Sequence, residues 1–168
     1  MADSLRDRLI RNFNEITLET STRAPLYDGT RSGGVAGPRD GTAAMKLGAG
    51  FDIVPPGKRS CPYHFHYAQE EMFVILEGTG TLRVAGEMIP IRAGDVIDIP
   101  PGPEFPHQII NTSNAPLKYL SISTRDMPEI CEYPDSGKYF AYTRTADGKS
   151  FGGLQRSSSN LDYWDGEP

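Results

Sequence analysis

The stretch His64-Phe65-His66-Tyr67-Ala68-Gln69-Glu70-Glu71 decides the fold. Alternate side chains of a β-strand point to the same face. If 63–67 is a strand, His64 and His66 therefore aim at one point inside a barrel. A short turn at Ala68-Gln69 would carry Glu71 onto the neighbouring antiparallel strand, facing the same interior. The chain has 3 histidines, and the last, His107, opens another apolar stretch after a Pro/Gly-rich loop. Imidazole and carboxylate together suit divalent transition metals. The spacing predicts one such ion (zinc, iron, manganese or nickel) held by His64, His66, Glu71 and His107, with open positions left for water or substrate. Each histidine is bracketed by apolar strand residues, which argues against three unrelated surface imidazoles.

Outward from this stretch the texture stays β. Strands are predicted over 43–53, 63–67, 71–76, 81–84, 88–91, 96–99, 107–111 and 117–123. Between them lie turn signals such as Pro55-Pro56-Gly57, Ala85-Gly86, Ala93-Gly94-Asp95 and Asn114-Ala115-Pro116. Short strands at even spacing predict an antiparallel sandwich or barrel. One helix is predicted over 4–16, capped by Ser4, with Leu5, Leu9, Phe13 and Ile16 on one stripe. The alternative is a two-turn helix with Ile16-Thr17-Leu18 already extended. Residues 20–40 read as an irregular arm with room for one strand. From Arg125 the chain becomes turn-rich, with one more strand at 139–142 and a polar end.

The 168 residues fit one domain with a proper core. The division predicted is an N-terminal arm (1–40), a barrel core (41–124) and a C-terminal extension (125–168). The formal net charge is -5 and the Lys and Arg residues are scattered, which excludes a nucleic-acid footprint. No apolar run approaches the roughly 18 residues of a membrane span, and 1–13 lack the apolar core of a signal peptide. A cytoplasmic protein is expected, with Cys61 and Cys131 free.

The stretch Gly57…His64-Phe65-His66…Glu71…Gly78 resembles the first motif of the cupin superfamily. Gly94-Asp95…Pro100-Pro101-Gly102…His107…Asn111 resembles the second, with four residues rather than the usual two between Gly102 and His107. The register of that motif, with six residues between ligand and glycine, favours Glu71 over Glu70. Segments 107–113, 133–138 and 162–167 resemble a group of small bacterial single-domain cupins, some labelled sugar-phosphate-isomerase-like. The resemblance implies an all-β, double-stranded β-helix (jelly-roll) barrel with a short N-terminal helix or arm and an irregular C-terminal tail.

Strand parity extends the site. Phe73 and Ile75 should line the barrel with Glu71, and Ile109 with His107, as an apolar wall beside a polar metal. Tyr119 is an inward candidate. Arg83 could bind a carboxylate or phosphate inside the barrel, and Glu104, in the loop before His107, could serve as acid or base. Cys61, Tyr63 and Tyr67 should face away from the metal. Met72, Val74 and Leu76 are apolar at the opposite parity, so something must cover them: the arm, the tail, or a second subunit in a homodimer. The function expected is metal-dependent action on a small polar metabolite: a sugar, sugar phosphate or organic acid. The competing readings are a metal-dependent dioxygenase and a non-catalytic metabolite-binding protein.

Overall fold

Two antiparallel sheets face each other across the core in the computed structural model, which describes residues 4–37, 40–145, 147, 149–156, 158 and 160–168. The parts of the expected arm and tail at 1–3, 38–39, 146, 148, 157 and 159 lie outside the described residues. The strands are β1 (Glu19–Thr20), β2 (Arg31–Ala36), β3 (Leu47–Val54), β4 (Phe65–His66), β5 (Glu71–Glu77), β6 (Thr79–Val84), β7 (Glu87–Arg92), β8 (Val96–Ile99), β9 (His107–Ile110), β10 (Leu117–Thr124), β11 (Glu129–Tyr133), β12 (Lys138–Arg144) and β13 (Ser150–Arg156). The first sheet runs β1-β2-β3-β10-β5-β8. A four-stranded sheet β13-β12-β11-β4 and a three-stranded sheet β7-β6-β9 lie opposite. An antiparallel bridge between His64 and His107 joins them, with the His64 N–H donating to His107 O at 3.1 Å and the reverse bond at 2.8 Å. The architecture is a jelly roll.

Local chemistry accounts for the hairpins. Ala85 and Gly86 have φ of 48° and 86°, the pair of left-handed conformations that a two-residue turn needs between right-twisted strands. The β7–β8 turn is pinned by the Asp95 side chain, whose Oδ2 accepts from the Arg92 N–H at 2.7 Å. Inward-facing residues of both sheets, among them Val54, Phe73, Ile75, Leu82, Ile109 and Leu117, form the buried core.

The structure differs from the sequence expectation in three places. The helix is α1 (Leu5–Leu9), and the chain is already extended at Ile10. Ser4 does cap it, in a reciprocal pair with Asp7, but Leu5 and Leu9 stay exposed, so no burial extends the helix further. The second difference is the route to Glu71. β5 pairs with β10 and β8, not with β4. Glu71 therefore reaches the histidines across the barrel, from the opposite sheet, rather than from a hydrogen-bonded neighbour strand. Third, the C-terminal extension is more regular than its composition suggests. β11 pairs with β4 and carries β12 and β13 beyond it, so the extension builds one wall of the site.

The outer face of β5 is partly covered. The Phe13 ring packs on Phe51 with centroids 5.0 Å apart, and Phe13, Ile16 and Leu18 line a surface cavity with Leu76. Met72, farther along, remains 39% exposed. No helix among the described residues is long and apolar enough to cross a membrane.

Candidate metal centre

The four sequence-predicted residues meet. Glu71 Oε2 lies 2.9 Å from His107 Nε2, 3.4 Å from His66 Nε2 and 3.7 Å from His64 Nε2. Each imidazole is held from behind. His64 Nδ1 sits 2.8 Å from the Pro62 carbonyl oxygen and His107 Nδ1 3.1 Å from that of Phe105. A carbonyl oxygen only accepts, so both Nδ1 atoms carry the proton. His66 Nδ1 is 3.2 Å from Glu129 Oε1, an acceptor as well. With Nδ1 occupied in this way, each ring turns its Nε2 toward one carboxylate oxygen. Four acceptors at these separations repel unless a cation or proton lies between them. Glu71 Oε2 and His107 Nε2 are buried without a hydrogen-bond partner, as a metal-ligand set would leave them. Burial pushes the Glu71 carboxyl up. A hydrogen bond donated by His107 and positive charge on the facing imidazoles outweigh it, and the net shift is downward, the same service a bound cation would give the carboxylate.

Glu129 escaped the sequence reading. It lies on β11, is fully buried, and accepts from the N–H groups of Tyr67 (3.2 Å), Ala68 (3.2 Å) and Gln69 (2.9 Å) besides orienting His66. It therefore shapes the 67–70 connection as well as the ring. Its distance of 63 residues from His66, in a segment read as turn-rich, concealed it. Cys131, cross-strand from His66, was also missed as a neighbour: its sulfur forms a compact group with His64 and His66 nitrogens. Burial pushes its thiol up to about 12 and does the same to Cys61. Cys61 Sγ lies 3.9 Å from His64 Nδ1, behind the ring and away from Glu71, and both cysteines are free.

The other candidates divide. Phe73, Ile75, Ile109 and Tyr119 are buried in the core cluster, with Phe73 edge-on to Tyr119 at 5.9 Å and 5.7 Å from the His107 ring. The Tyr119 hydroxyl is taken by Ser60 Oγ, and burial raises its pKa well above the ordinary value. Arg83 is corrected: it points out of the barrel. Its neighbour Leu82 takes the core side of β6, while Arg83 lies over the Tyr63 ring at 3.7 Å and makes a two-pronged pair with Asp135 (2.6 and 2.9 Å). Glu104 is exposed, folded back over Gly102, and does not join the clustered ligands. Asn111, fully buried, donates to the carbonyls of Val54 (2.7 Å) and Ala115 (2.8 Å). Its place after His107 is thus explained by tying β9 to two turns.

An antiparallel jelly roll with two histidines on one strand end, a third across a bridge and a glutamate from the facing sheet defines the cupin class of barrel. A family model described as a cupin domain matches residues 50–123. An uncharacterized protein of Methanocaldococcus jannaschii is 44% identical over 82 residues, 49% of this chain and 56% of that protein. The oxalate-binding protein of Thermotoga maritima is 38% identical over 80 residues, 48% of this chain and 58% of that protein. The match spans little more than half the length of either relative. The crystal structure of a sugar phosphate isomerase from Silicibacter pomeroyi aligns with a TM-score of 0.71 over 92% of this chain and 96% of that one. At 22% identity that likeness shows the fold.

Proposed function

We propose that the chain holds one divalent transition metal ion through His64, His66, Glu71 and His107 and acts there on a small polar metabolite. The observation that carries the reading is the convergence of three Nε2 lone pairs on Glu71 Oε2, with two of those atoms buried and unpartnered. A bound ion supplies Lewis-acid polarisation of a carbonyl, hydroxyl or carboxylate oxygen. The rest is done by the chain. Pro62, Phe105 and Glu129 keep a proton on each Nδ1 and so keep each Nε2 free. Phe73, Ile75 and Ile109 exclude water from the inner side. Of the metabolites considered, an organic acid is favoured by the oxalate-binding relative. The same proposal takes residues 1–168 as one functional unit, since strands from both flanks, β2 and β11, complete the barrel. It includes self-association as a homodimer, for which Met72 and Val96, exposed on the first sheet, offer apolar surface.

Elemental analysis of purified protein tests the ligand set. His107→Ala should lower metal content by about tenfold or more, whereas Glu70→Gln should leave it unchanged, because Glu70 is exposed beside the ligand carboxylate. Full metal content in the His107 variant would remove the assignment.

A further inference from the structure

Cross-strand register places three successive rows of side chains on the inner face of β5, β10 and β3. Ile75, Tyr119 and Asp52 form the innermost of these rows, backed by the fully buried Leu117–Val54 pair. Phe73, Ser121 and Gly50 come next, then Glu71, Ser123 and Gly48. Arg125 continues the same parity one step beyond Ser123, so it stands at the mouth, about 7 Å along the strand direction from the Glu71 row. Gly48 and Gly50 contribute no side chain, and a trough opens where they lie. A cavity of about 210 Å³ occupies it, lined by Glu71, Ser121, Ser123, Arg125 and Asp40 with the two glycines. The guanidinium hangs over Gly48: a Cβ there would meet Arg125 Nη1 at 3.0 Å. Among the described residues the Arg125 side chain makes neither an ion pair nor a hydrogen bond. Asp40, the other charged wall, packs its carboxylate over Gly34 and Gly37, and a Cβ at Gly37 would meet both Asp40 Oδ2 (2.9 Å) and Arg125 Nη1 (3.5 Å), so the two charges are close without forming an ion pair.

We propose that this trough is the substrate subsite of the metal centre and that it takes a small carboxylic acid, with one oxygen end at the Glu71 centre and a carboxylate clamped by Arg125. The inference rests on the metal reading for the inner end and on Arg125 alone for the outer end. An unpaired guanidinium with a rigid fork of donors matches a carboxylate two-prong fashion. The Ser123 hydroxyl supplies a further donor along the floor, while that of Ser121 donates to Asp52 Oδ2 at 3.2 Å. The cavity is smaller than the roughly 300–1,000 Å³ typical of drug-sized ligands, which selects an acid of a few carbons over a hexose phosphate. Arg125 is here a specificity-determining residue: it holds the ligand and takes no part in proton transfer.

Calorimetric titration of the metal-loaded protein with oxalate, and separately with inorganic phosphate, tests this. Oxalate should bind, and Arg125→Gln should weaken it by about 10- to 100-fold, the span expected for losing a charge-assisted pair, at unchanged metal content. Arg125→Lys should recover part of the loss. Gly50→Ala, which places a Cβ 2.9 Å from Ser121 Oγ, should weaken oxalate while leaving the guanidinium intact, and serves if the arginine variants fold poorly. Oxalate affinity within twofold of the parent in metal-replete Arg125→Gln overturns the proposal, as does binding of phosphate but not oxalate. Arg125-dependent oxalate binding by protein that takes up no metal would uphold the anion subsite and remove the metal reading.

Discussion

Glu129→Ala should destabilise the protein by about 3–5 kcal/mol and weaken metal binding by about 10- to 100-fold. The carboxylate is fully buried and is the acceptor for three successive backbone N–H groups, at Tyr67, Ala68 and Gln69, and for the His66 ring. Truncation leaves those donors facing a cavity. Each buried donor without a partner costs about 1–3 kcal/mol, and partial entry of water recovers some of it. The metal effect has a separate cause: without Glu129 the His66 imidazole is free to rotate or to change tautomer, and its Nε2 lone pair is no longer fixed on Glu71. Urea unfolding of metal-free protein isolates the first effect, and metal titration of the folded variant isolates the second. Glu129→Gln should fall between, since the amide keeps one acceptor oxygen and turns the other into a donor facing N–H groups. A loss below about 1 kcal/mol in the alanine variant would show that the 67–70 connection is held by something else.

This prediction marks what could be read from the chain and what could not. The period of two carried His64 and His66 to one face, and Phe73 and Ile75 to the face of Glu71, because parity is a local property of a strand. Turn chemistry placed the Ala85-Gly86 hairpin for the same reason. Pairing between distant strands is not local. The short 68–69 connection suggested a hairpin between β4 and β5, but the jelly-roll crossover puts them in opposite sheets. Arg83 was offered to the interior, but Leu82 and Val84 hold the core parity of β6 and Arg83, at the other parity, meets the distant Asp135. Glu129 lies in a segment whose prolines, glycine and charges read as irregular, and its burial depends on β11 reaching β4. One signal was available and went unused: Gly48-x-Gly50-x-Asp52 and Ser121-x-Ser123-x-Arg125 alternate with the period of a strand, placing small and polar residues on a face that would otherwise be core.

The deepest member of that face gives the second large effect. Asp52→Asn should stabilise the protein by about 3 kcal/mol above pH ~7, with the gain vanishing below about pH 4. Burial pushes the Asp52 carboxyl up from 3.8 to about 6, and its hydrogen bond with Ser121 Oγ, at 3.2 Å, only partly opposes this. A carboxyl whose pKa is raised by folding is protonated more readily in the folded state. Its favourable contribution is fully present below the unfolded value of 3.8, decays as pH rises through about 6, and above that the ionised group strains the fold. Asparagine keeps the shape and the hydrogen bond to Ser121 without the charge. Urea unfolding of both proteins at pH 4 and pH 8 checks the sign: equal stability at the first and a more stable variant at the second. A variant less stable at pH 8 would mean that the carboxylate is compensated by a partner and that burial is not the controlling cause. The position matters beyond stability. Asp52 closes the inner end of the row series that begins at Arg125 and passes Glu71, so a destabilising acid sits at the base of the proposed subsite, hydrogen-bonded to a serine that lines it. Strain of this kind is commonly retained where function needs it.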